Sequence, residues 1–123
     1  DFDGDGKLEI LTFSKFHGDT LAIWHEGQTR DRYEQVWCDP QKRSFLHALW
    51  AADLNGEKCA VIGNRKDGRD LLLVRYVDGE YTVDVIDHDL GPANCMVYRH
   101  DGSDYIVAAY RETDQLALYK VVE

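Results

Sequence analysis

The side chains best placed to do chemistry are crowded into nine residues, Asp1-Phe2-Asp3-Gly4-Asp5-Gly6-Lys7-Leu8-Glu9. Carboxylates at alternate positions 1, 3 and 5, with a fourth at 9, can surround one hard cation with oxygen ligands. Lys7 can add its backbone carbonyl, and Gly4 and Gly6 let the chain wrap tightly enough to bring these groups together. A solvated acidic turn is the competing reading, but four carboxylates this close repel one another without a cation. The expected ion is calcium, in a structural role. An EF-hand is excluded. The twelfth loop position is Thr12 rather than an acid, and Glu9-Ile10-Leu11-Thr12-Phe13 reads as a strand, not a helix.

Elsewhere the reactive groups are dispersed. The five histidines show no HxxxH or HExxH spacing, and Cys38, Cys59 and Cys95 show no CxxC. Cys59 and Cys95 adjoin apolar runs and read as small core residues, with a disulfide or a nucleophilic thiol as alternatives. There is no P-loop, dinucleotide fingerprint or Ser–His–Asp order. The 123 residues carry 23 acidic and 14 basic side chains, a formal charge of −9. Such a surface repels nucleic acid and anionic membranes, so neither is an expected partner. No apolar run reaches the roughly 20 residues of a membrane helix, so no membrane insertion is expected. Seven Tyr, four Phe and three Trp in a 44% hydrophobic chain indicate one folded domain. The chain opens on Asp1 with no signal-like segment, which reads as a processed or truncated protein.

The elements that must position these groups are strands. Short β-branched and aromatic blocks alternate with Gly, Asp and Asn clusters and leave no room for a crossover helix. They fall at 9–16, 20–25, 33–37, 45–52, 59–63, 71–77, 81–86, 94–98, 105–110 and 116–122, with turns of three to eight residues. The strands also recur as a unit. Asp1-Phe2-Asp3-Gly4, Asp53-Leu54-Asn55-Gly56 and Arg99-His100-Asp101-Gly102 each precede a hydrophobic strand, with 50 residues from Ile10 to Ala60 and 46 from Ala60 to Ile106. A period in the forties carrying four strands is that of a propeller blade. The expected fold is therefore all-β: antiparallel β-propeller blades, about two and a half of a larger ring. The segment 1–123 divides into a partial blade 1–43, a full blade 44–90 and a partial blade 91–123. Its open sides call for the remainder of the propeller or a neighbouring chain.

The acidic loop and the strand after it resemble the FG-GAP/VCBS repeat of integrin-like β-propellers, whose pattern is D-x-D-x-D-G-x-x-D/E before a short apolar strand. The resemblance implies calcium held between the first two strands of a blade by Asp1, Asp3, Asp5, the Lys7 carbonyl and Glu9. It also implies an extracellular or periplasmic setting. The full motif occurs once. The turns at Asp53–Lys58 and Arg99–Asp104 are shorter or degraded, and are expected to be metal-free and held by side-chain to backbone hydrogen bonds.

Ligand binding in propellers commonly uses the opposite face. There His17, His47, Arg65, Asn94 and Arg111 are expected around one axis, with His17 and His47 as candidate catalytic groups and the other three as ligand-binding groups. Loop residues of these types are also common without a function. Asp19 can orient His17 within His17-Gly18-Asp19, whereas His25 and His100 are expected to be solvated. Phe16-His17-Gly18-Asp19-Thr20 resembles, more weakly, a loop in the propeller portion of aldos-2-ulose dehydratase-type sugar lyases. Two functions follow from these readings. One is a calcium-stabilised module binding a carbohydrate or protein, for which Trp24, Trp37 and Trp50 offer stacking surfaces, although alternation points Trp24 and Trp50 to packing between blades. The other is a metal-dependent sugar dehydratase in which a neutral His abstracts a proton beside a carbonyl.

Overall fold

The computed structural model describes residues 1–15, 18–29 and 31–122. Ten strands follow one another: β1 (Ile10–Ser14), β2 (Thr20–Glu26), β3 (Tyr33–Cys38), β4 (Leu46–Leu54), β5 (Glu57–Asn64), β6 (Leu71–Val77), β7 (Glu80–Asp87), β8 (Pro92–His100), β9 (Ser103–Tyr110) and β10 (Gln115–Lys120). All pairings are antiparallel, and there is no helix among the described residues. The strands form three meandering sheets: β1-β2-β3, β4-β5-β6-β7 and β8-β9-β10.

Turn chemistry carries several strands further than their hydrophobic blocks. At Asn55-Gly56, Asp78-Gly79 and Asp101-Gly102 both central residues have positive φ. That geometry is a type I′ turn, whose twist matches the flanking strands and lets the ladder run to its end. The loops at these three places are thus two residues long, shorter than the three to eight read from the sequence.

The repeat is expressed in register. Leu46 pairs with Asn64 and Pro92 with Tyr110, and Ala60 pairs with Val74 as Ile10 does with Trp24. The second and third sheets even share a bulge at the same repeat position, His47 in β4 and Ala93 in β8, 46 residues apart.

Two apolar clusters hold the sheets together. Leu21 and Ile23 of β2 pack with Ala60 and Ile62 of β5 and Leu72 and Val74 of β6. On the other side, Cys59 and Val61 of β5 pack with Cys95 of β8 and Ile106, Ala108 and Tyr110 of β9. Successive residues of β5 point to opposite faces, so the central sheet is buried on both, and β5 reads as one continuous apolar run. Burying Val61 or Ile62, each 0% exposed, stabilises the fold by about 1.5–3 kcal/mol.

Polar groups complete the seams. Arg43, itself buried, donates from Nε to Asp39 at 2.7 Å. The Arg43 amide reaches the Asp19 carbonyl and the Asp39 amide the Leu21 carbonyl, fixing the connection from β3 to β4. Between the second and third sheets, Tyr119 donates to Asp87 at 2.6 Å and its hydroxyl is shared with that of Tyr110. Cys59 and Cys95 are buried and unbridged, while Cys38 is exposed, so the disulfide alternative does not occur.

Candidate functional site

The acidic loop is ordered by its own amides. Gly6 N donates to Asp1 Oδ2 (3.0 Å), Asp5 N to Asp3 Oδ1 (3.1 Å) and Lys7 N to Asp5 Oδ1 (2.8 Å). Gly4 and Gly6 sit at φ +76° and +86°, where an L side chain is strained. Each aspartate is therefore tethered through one oxygen, and the second oxygen of Asp5 meets His25. Asp1, Asp3 and Asp5 each offer a carboxylate oxygen within 4.8 Å of the others. Asp1 Oδ1 is shut off from solvent and has no hydrogen-bond partner. A buried, unpaired carboxylate oxygen is costly unless a cation meets it, so the residues present fit a hard metal ion.

Glu9 forms the floor. It accepts from the Phe2 amide at 2.8 Å, and more distantly from that of Asp3 at 3.4 Å. Burial alone would raise its carboxyl, but the Phe2 amide, its own, the N-terminal ammonium 3.3 Å away and the Asp3 amide outweigh it and hold the group below its ordinary value. The Lys7 amide, with His25 beside it, lowers Asp5 in the same way. Phe2 and Tyr81 meet edge to face at 6.0 Å, fastening the loop to the β6–β7 hairpin of the next sheet.

His25 belongs to this site, contrary to its expected solvated position. Its Nε2 lies 2.9 Å from Asp5 Oδ2 and 3.6 Å from Asp3 Oδ2. Its Nδ1 donates to the Glu26 carbonyl at 2.8 Å. That bond, followed by the Asp5 and Asp3 charges, raises the imidazole above its ordinary value. In the charged ring Nε2 donates to Asp5, so His25 sets a positive charge against the carboxylates of the loop. A cross-strand signal exists: β1 pairs Ile10 with Trp24, which places residue 25 beside residue 9. Without that register the sequence does not contain it.

The two degraded turns are built differently. Asn55 N donates to Asp104 Oδ2 at 2.7 Å and Arg99 to Asp104 Oδ1 at 3.0 Å, so one buried carboxylate serves both hairpins. Among the described residues, the groupings able to hold a metal ion lie at the N-terminal loop and His25.

On the opposite face, Arg65 donates to Glu112 at 3.0 Å and lies 4.8 Å above the Phe45 ring. Phe45 stacks on His47 with centroids 5.8 Å apart, and Arg111 reaches Glu112 at 3.8 Å. Burial would raise the Glu112 carboxyl, but Arg65, its own amide and then Arg111 hold it below its ordinary value. His47, Arg65 and Arg111 thus gather around Phe45 and Glu112. His47 Nδ1 donates to the Ala93 carbonyl at 2.6 Å, joining the two equivalent bulges. Asn94 is exposed, and its Oδ1 accepts from the Cys95 amide. His17 lies outside the described residues.

Of the tryptophans, Trp24 is half-buried and donates to Thr12 at 2.9 Å, and Trp37 packs at 5.9 Å from Tyr81. Trp50 stays 42% exposed. Comparison with protein-family models, curated proteins and solved structures finds no match to this chain.

Proposed function

We propose that this chain is a run of FG-GAP/VCBS-type β-propeller blades, stabilised by calcium, that serves as a module binding a carbohydrate or protein ligand. Three antiparallel meanders in a shared 46-to-50-residue register support the blade reading. The outer two have three strands and the middle one four, which leaves an edge on each side for further blades or a neighbouring chain.

One observation carries the calcium reading: three aspartates converge, and the buried Asp1 Oδ1 has no partner. Asp1, Asp3, Asp5, Glu9 and the Lys7 carbonyl would hold the ion. It would supply positive charge that cancels their repulsion and locks the loop against β1 and Tyr81. The dehydratase reading needs His17 and His47 to act together. It is the weaker one, because both arginines face Glu112.

Isothermal titration of metal-stripped protein with calcium tests the reading. One ion per chain should bind and raise the melting temperature, and Asp3→Asn or Asp5→Asn should weaken binding at least tenfold. No heat together with an unchanged melting curve overturns it.

A further inference from the structure

An open groove of about 820 Å³ runs between the second and third sheets, at the end carrying the Asn55-Gly56 and Asp101-Gly102 turns. Its wall on β4 is Trp50, whose indole is 42% exposed although Ala48 and Leu54 on the same strand are buried. Tyr98 faces it from β8, with its ring held against Tyr105 at 5.4 Å and 14°.

The polar groups of the groove are held in place. Asp104 has a side chain only 4% exposed and takes a guanidinium N–H of Arg99 at 3.0 Å. A second Arg99 N–H goes to the Gly102 carbonyl at 3.1 Å, so the guanidinium plane is set by two anchors while most of the side chain remains exposed. The Asn55 amide binds the same Asp104 carboxylate, which ties the two lips together. Asp53 is paired with Lys58 at 2.7 Å. The charged groups that line the groove are thus matched in pairs, Arg99 with Asp104 and Asp53 with Lys58.

An exposed indole beside a fixed guanidinium and a carboxylate suits a neutral ligand with one apolar face and a ring of hydroxyls. We infer that this groove binds a neutral saccharide, with a sugar ring stacked on Trp50 and its hydroxyls hydrogen-bonded to Arg99 and Asp53. The inference rests on the ligand-module reading and names the ligand class and its site. That site lies between the central and third sheets at the turn end, away from the Arg65–Glu112 face.

Cellohexaose, xylohexaose and mannohexaose, each titrated into the full chain by calorimetry, provide the test. At least one should bind, and Trp50→Ala should weaken it at least tenfold with an unchanged melting temperature. Trp50→Phe should restore part of the affinity, Arg99→Ala should lower it, and Trp24→Phe should leave it unaltered. Binding that Trp50→Ala and Arg99→Ala both leave intact overturns the groove but not the module. Binding of none of the three sugars overturns the saccharide inference, while calcium titrated alone reports separately on the loop.

Discussion

Burial divides the three cysteines at the level of single residues. Removal from water pushes the Cys59 thiol up to about 11 and that of Cys95 to about 12, whereas Cys38 is exposed. Only a thiolate alkylates readily. Iodoacetamide at pH 8 should therefore label one cysteine in the native protein, Cys38, and all three in concentrated urea, as read by mass spectrometry. Native labelling of Cys59 or Cys95 would contradict the packing of β5 against β8. The Glu9 carboxyl, held below its ordinary value of 4.5, carries a pH dependence of definite sign. A depressed carboxylate stabilises the fold fully above its unfolded value, and that contribution is lost as the pH falls through the folded value. The metal-free protein should melt at progressively lower temperature below about pH 4.5. Glu9→Gln should flatten that part of the profile.

Among the elements, glycines separate backbone strain from crowding. Gly56 occupies φ +85° in the β4–β5 turn, with open space where a Cβ would stand. Gly56→Ala should cost about 1–2 kcal/mol, from the left-handed backbone alone. Gly63 in β5 has a different constraint: a Cβ there would lie 2.3 Å from Cγ of Pro92, a rigid and fully buried ring at the start of β8. Gly63→Ala should cost about 1–3 kcal/mol by forcing β5 and β8 apart. Urea unfolding of each variant measures both costs. A neutral Gly63→Ala would show that the seam between the second and third sheets is looser than this contact implies.

For the molecule as a whole, the central sheet couples its neighbours. Ile62 belongs to the cluster shared with the first sheet and Val61 to the cluster shared with the third, yet they are adjacent in β5. No sheet can leave without exposing one face of that strand. Unfolding should accordingly be a single transition, with circular dichroism and tryptophan fluorescence coincident. Ile62→Ala should lower that transition by about 2–5 kcal/mol, and Val61→Ala should lower the same transition rather than reveal a second. Separate transitions in either variant would mean that the sheets are independent units.

The strands were legible because their signals are local. Block composition marks each one between Gly, Asp and Asn clusters, although the two-residue Asn-Gly and Asp-Gly hairpins and the burial of β5 on both faces emerged only from the structure. The acidic loop was legible for the same reason, since its carboxylates are neighbours in the chain and converge by local wrapping alone. His25 was not, because it meets Asp5 across twenty residues and only the β1–β2 register brings them together. Nor could the sequence distinguish Trp50 from a packed indole, or show that Arg65 is neutralised by a carboxylate 47 residues away. Alternation along a strand states which residues share a face. What that face meets depends on how neighbouring sheets pack, and that free energy is shared among residues far apart in the chain.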